Sequence, residues 1–97
     1  MSKYKDAESI LQNGRYCFFC RRENVPLEIH HCINGNPGRK LSDKYGLTVY
    51  LCPACHRVVH AHIEMRLTLK QMAQAELMKK EGWSVDDFRR IFGKNYL

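Results

Sequence analysis

A small α+β fold is what this sequence predicts, and three observations carry the prediction. Two short runs alternate as strands do, three longer stretches repeat apolar residues at helical spacing, and two Cys-x-x-Cys knuckles flank the strands. At 97 residues the chain reads as one domain, small enough that its apolar core needs help from a metal, a disulfide or a partner. The five cysteines are odd in number and the pairs are spaced as metal knuckles. No N-terminal apolar run points to export, so a reduced, cytoplasmic metal protein is expected rather than a disulfide framework. No stretch approaches the roughly 20 apolar residues of a membrane span.

Taken in order, Tyr4, Ala7, Ile10 and Leu11 recur at helical spacing, which predicts an N-terminal helix capped at Gly14 and packed over the metal-bound half. Residues 27–33 alternate as a first strand, and Thr48-Val49-Tyr50-Leu51 supplies a second. Between them Asn34-Gly35-Asn36-Pro37-Gly38 is turn chemistry, leading into the basic pair Arg39-Lys40. A short helix is expected from His56 to about Ile63, which gives strand, loop, strand, helix. A further helix from about Leu69 to Lys80 turns Leu69, Met72, Ala73 and Leu77 to one face, with Gly82 as its stop. Ser84-Val85-Asp86-Asp87 resembles a capping box opening a last helix, whose Phe88, Ile91 and Phe92 face inward. The metal-bound core spans about residues 17–63 and the helical extension about 66–97. Trp83, Phe88, Phe92 and Tyr96 are expected as core or docking residues rather than base-stacking groups.

Nine potential ligands fall within residues 17–60, too many for one metal. Two Cys-x-x-Cys turns aim four sulfurs at one tetrahedral ion, so Cys17, Cys20, Cys52 and Cys55 are the expected structural zinc site. Cys32 is spare on this scheme, a small buried hydrophobe. His56 and His60, four apart on a helix, project from one face and can share a second divalent ion. The third ligand comes from the His30-His31 doublet. Neighbouring strand residues point to opposite sides, so one histidine binds while the other can act on a water. Two plainer readings stand beside this. His31 alternates with Leu27, Ile29 and Ile33 and can be a hydrogen-bonded core histidine, and His56 or His60 can belong to the structural zinc site with two of the cysteines merely buried. His62 points away from the ligand face, as a solvated or phosphate-facing side chain.

The stretches Cys17-Phe18-Phe19-Cys20, Leu27-Glu28-Ile29-His30-His31 and Leu51-Cys52-Pro53-Ala54-Cys55-His56-Arg57-Val58-Val59-His60 together resemble the HNH endonuclease family, in the subgroup with a four-cysteine zinc site. The chain is also similar to small HNH-type proteins of bacteriophages and prophages, an impression to which the ending from Ile91 to Leu97 adds. The resemblance implies a ββα-metal core related to the treble clef, hydrolysing phosphodiester bonds of double-stranded DNA with one divalent cation: Mg²⁺, Mn²⁺, Ni²⁺ or Zn²⁺. It makes His31 the general base that activates water, and His30, His56 and His60 the metal site, with His56 the firmer of the two helix positions. A neutral imidazole can take a proton from water near pH 7 while a metal stabilises charge on the phosphate. Arg39, Lys40 and Arg57 are candidates for nucleic-acid contacts. A phage DNA-processing partner and the cytoplasm of a bacterial host are implied by the same analogy.

The formal charge of +6, reduced to roughly +4 by four thiolates on one zinc, favours a polyanionic partner. One position departs from the family pattern: its middle asparagine is replaced by Leu47, and Asn34 or Asn36 stands as the substitute brace for the loop that holds the base. The competing function is a catalytically silent, zinc-stabilised treble-clef module that binds nucleic acid or a protein partner. Such a module would bind with salt-dependent affinity and without a catalytic metal.

Overall fold

The computed structural model describes residues 8–97 of the chain. The described elements are β1 (Glu28–His31), α1 (Gly38–Tyr45), β2 (Thr48–Leu51), α2 (Pro53–Ala61), α3 (Ile63–Glu81) and α4 (Val85–Phe92). Among the described residues this is an α+β arrangement of one two-stranded sheet and four helices. The strands pair antiparallel, with Glu28 opposite Leu51 and His30 opposite Val49. Leu47, Val49 and Leu51 alternate into the core, where they meet Ile33, Val59, Leu69, Leu77 and Phe88.

The helix expected from His56 to about Ile63 instead spans Pro53–Ala61 as α2, and two further expectations change at the level of whole elements. The connection between the strands is not a loop: α1 forms over Gly38–Tyr45 and ends at Gly46 in the left-handed conformation. Its composition hides it, because only Leu41 and Tyr45 are apolar at helical spacing and its most buried side chain is Ser42. The N-terminal helix is also not found where the chain is described. Tyr4 and Ala7 lie outside the described residues, and residues 8–14 run without helix alongside β2. Polar side chains there bond to the strand backbone instead of to solvent. Ser9 Oγ donates to the Thr48 carbonyl, Gln12 Oε1 accepts the Tyr50 N–H, and the Ile10 N–H reaches Gly46 O at 2.9 Å. Local side-chain bonding of this kind competes with the helix that Ile10 and Leu11 would otherwise favour.

The later helices agree more closely with their signals. α3 starts earlier than Leu69, at Ile63, and ends at Gly82, which adopts φ 70°. Leu69, Ala73 and Leu77 are buried on it, whereas Met72 is exposed. Ser84 and Asp87 form a reciprocal capping box at the start of α4. Phe88 and Phe92 are buried and stack at 4.2 Å, while Ile91 faces outward. Gln74, wholly buried on α3, ties down the C-terminal segment by donating to Asn95 and accepting the Tyr96 N–H. Trp83 and Tyr96 pack against the core, in keeping with a structural role. No helix among the described residues is long and apolar enough to cross a membrane.

Candidate metal centre

The two knuckles meet because β2 holds both: the first is bonded to its backbone and the second continues directly from its end. Phe18 N–H donates to the Tyr50 carbonyl, and the first knuckle closes through Arg21 N–H to Cys17 O, with Arg21 at φ 68°. The second knuckle is the start of α2. Cys52 is the N-cap, Pro53 occupies the first turn, where its missing N–H costs nothing, and Cys52 Sγ accepts the Cys55 N–H. A helix N-terminus also favours negative charge on those sulfurs.

All four sulfurs of Cys17, Cys20, Cys52 and Cys55 lie within 4.8 Å of one another. Tetrahedral bonds of about 2.3 Å place neighbouring sulfurs about 3.8 Å apart. Cys20 Sγ and Cys52 Sγ are separated by 3.8 Å. The cluster therefore has the dimensions of a site that can hold a metal such as zinc. Its charge state points the same way. Burial opposes ionisation of Cys17, but backbone N–H groups of Cys20, Cys52 and Phe19 outweigh it and bring that thiol down to about 6. Cys55 is pushed up to about 12 by burial, then by its bonds to Cys52 and Cys17 and the charge on Cys17. Four converging sulfurs resist full ionisation without a cation to balance them. Cys32 stands apart, buried and pushed up to about 12 by that burial, as its spare role predicts.

A second group forms farther along α2, where it faces β1. One ring nitrogen each of His30, His56 and His60 falls within a single 4.8 Å cluster. His56 Nε2 and His60 Nε2 are 3.0 Å apart, near the roughly 3.0–3.4 Å between neighbouring nitrogens on an ion with bonds of about 2.1 Å. His30 is the buried member, and desolvation, followed by the nearby positive charge of His56, His60, His31 and Arg66, lowers its imidazole to about 4. It is therefore neutral and able to ligate at neutral pH. Neither His56 nor His60 belongs to the cysteine cluster, which removes the reading that mixed them with the four sulfurs.

His31 is held elsewhere. Glu28 and His30 face α2, and the alternate residues Ile29 and His31 face the opposite way. Ile29 is exposed on that face, so His31 is not a core histidine. Its Nε2 lies 2.7 Å from Asp43 Oδ1 on α1. Two carboxylates thus serve the histidines, and sequence reasoning missed both. Asp43 is hidden with α1. Glu28, 2.8 Å from His56 Nδ1, is legible in principle, because strand alternation puts it on the face of His30.

Of the basic residues, Arg57 lines the same shallow cleft as Glu28, Pro53, His56 and His60. Arg39 and Lys40 are exposed on α1 and do not line that cleft. His62 sits exposed at the junction of α2 and α3, 3.6 Å from Glu64, outside the ligand group. Asn34 and Asn36 are exposed, and the strand end is braced instead by Ser42 and Leu47. Ser42 Oγ bonds both the N–H and the carbonyl of Ile33, and the Leu47 carbonyl accepts the Cys32 N–H at 2.9 Å. Comparison of the chain with protein-family models, curated proteins and solved structures finds no match.

Proposed function

We propose that this chain is a metal-dependent DNA endonuclease of the HNH type, built on a ββα-metal core of treble-clef character around a structural zinc. The observation that carries the reading is the division of labour across β1. His30 joins His56 and His60 in a cluster of metal-ligand dimensions, while His31, the next residue, turns to the other face and pairs with Asp43. Phosphodiester hydrolysis needs a metal ligand and a separate base that reach one phosphate, and neighbouring residues at the end of one short strand can supply the two. The sequence resemblance assigns those same residues to those roles.

In this reading His30, His56 and His60 hold the divalent cation, and Glu28 fixes the His56 ring so that Nε2 is bare. When bound, a divalent cation supplies stabilisation of the charge that develops on the phosphate and the leaving oxygen. His31 takes a proton from water. The water oxygen bonds to phosphorus as the bond from phosphorus to the leaving sugar oxygen breaks, and the proton rests on the imidazole. Arg57, beside His56 in the cleft, contacts the DNA backbone, with Arg39 and Lys40 extending the basic surface from α1.

The test is cleavage of supercoiled plasmid by zinc-loaded protein, wild type beside His31→Ala, in EDTA and then with Mg²⁺, Mn²⁺, Ni²⁺ or Zn²⁺ restored. Metal-dependent nicking or linearisation by wild type, lost in His31→Ala with DNA affinity intact, supports the nuclease. Folded wild-type protein that binds DNA but cuts under no metal identifies the silent binding module instead.

A further inference from the structure

We propose that Asp43 is a positioning residue for His31, holding its imidazole in one orientation and as the tautomer with hydrogen on Nε2, so that Nδ1 is the ring's basic atom. The role of the ring rests on the nuclease reading above; the tautomer does not. An ionised carboxylate can only accept, so the ring nitrogen 2.7 Å from Asp43 Oδ1 carries the hydrogen. A neutral imidazole has one N–H, which leaves the lone pair on Nδ1.

The contact is built by the fold rather than by two surface side chains meeting. Asp43 comes directly after Ser42, which is wholly buried and bonds Ile33 through both backbone groups, fixing α1 against the end of β1 two residues beyond His31. Gly38 brings the start of the helix onto the same residue, since a Cβ there would lie 3.0 Å from Ile33 Cγ2 and 3.2 Å from Ile33 O. At the other end the Gly46 and Leu47 N–H groups both donate to Ser42 O. A helix tied at its start, middle and end presents Asp43 at a fixed height opposite His31. The His31 side chain is 18% exposed and that of Asp43 31%, so water screens the pair only in part. A side chain that must take a proton in a defined direction gains from such a tether, because the correct nitrogen is already presented before substrate arrives.

The experiment has two arms on zinc-loaded full-length protein. In ¹⁵N-histidine-labelled wild type, a direct ¹H–¹⁵N correlation for His31 Nε2–H, slowed in exchange with water, is expected and is lost in Asp43→Ala. A wild-type His31 that is protonated on Nδ1, or whose Nε2–H exchanges as freely as in Asp43→Ala, overturns the proposal without reference to activity. In plasmid nicking, Asp43→Ala is expected to lower the rate at saturating DNA by about 10- to 100-fold, with the half-saturating DNA concentration unchanged. An unchanged rate in an active enzyme also overturns it. Wild type that fails to nick sinks the nuclease reading, and the resonance still decides whether Asp43 holds His31.

Discussion

The Glu28 carboxylate accepts the Nδ1–H of His56 at 2.8 Å, joining the first residue of β1 to the first turns of α2. Because an ionised carboxylate cannot donate, a neutral His56 ring in this bond carries its hydrogen on Nδ1, and its lone pair is on Nε2, 3.0 Å from His60 Nε2. Glu28 therefore orients a nitrogen of a group that could hold a metal ion. Replacing it with Gln or Ala is expected to weaken divalent-cation binding at the histidine cluster by about tenfold, the low end of the usual range because Glu28 is half exposed. Calorimetric titration of zinc-loaded protein with Ni²⁺ or Mn²⁺ measures this. Unchanged affinity would remove Glu28 from the site.

The four-cysteine cluster and Cys32 make opposite predictions. Cys17→Ala is expected to lose the structural metal and, with it, cooperative folding, since a closed zinc site in so small a chain contributes folding free energy outright. Cys32→Ala should keep one equivalent of zinc and lose about 1–2 kcal/mol from a small cavity in the core. Zinc content by atomic spectroscopy and urea unfolding distinguish the two. Loss of zinc from Cys32→Ala would place a fifth sulfur in the shell.

Ser42 carries more of the architecture than its chemistry announces. Its hydroxyl bonds both backbone groups of Ile33 inside the core, so Ser42→Ala leaves a buried N–H and a buried carbonyl unpaired. A cost of about 1–3 kcal/mol is expected in chemical denaturation. If Ser42 fixes α1, the same variant should also disturb the pairing of His31 with Asp43, seen as a changed His31 ring resonance in a protein that remains folded.

Legibility in the sequence divides along chain distance. The knuckles, the His56 and His60 pair, the Ser84 cap and the Gly82 stop all depend on spacings of four residues or fewer, so their geometry is set by local backbone rules. The partners of the histidines are not. His31 meets Asp43 across 12 residues and His56 meets Glu28 across 28; no local pattern marks Asp43, and strand alternation puts Glu28 on the face of His30 without showing which residue it meets. The helix α1 escapes a reading by periodicity because its docking side is made by Gly38 and Ser42 rather than by a stripe of large apolar residues. The segment 8–14 misleads for the converse reason: Ile10 and Leu11 have helical spacing, but Ser9 and Gln12 find better partners on the backbone of β2.

Gly46 tests that last contact. It sits at φ 74° after α1, and a Cβ there would fall 2.1 Å from the Glu8 carbonyl oxygen, a clash with backbone rather than with a side chain able to move aside. Gly46→Ala therefore combines left-handed strain with displacement of residues 8–10 from the edge of β2, and a loss above about 1 kcal/mol is expected. Amide exchange should show the Ile10 N–H, normally bonded to Gly46 O, exchanging faster in the variant while β1 and β2 stay protected. Equal exchange at Ile10 would mean the segment adapts without leaving the strand.

The low basicity of His30 sets the direction of the acid response. Burial and nearby positive charge lower its imidazole to about 4, against an unfolded value near 6.5. Between those values the unfolded chain binds a proton that folded His30 does not, so stability rises with pH across the window and falls as pH drops through it. His30→Gln cannot take up that proton, and should flatten the dependence. From pH 6.5 to 5, wild type is expected to lose roughly 1–2 kcal/mol more than His30→Gln, both carrying one equivalent of zinc so that acid lability of the cysteine site cancels. Thermal melts at the two pH values read the difference. Parallel pH profiles would show that His30 takes up its proton in the folded protein as readily as in the unfolded chain, and the buried member of the histidine cluster would then not be held neutral by its surroundings.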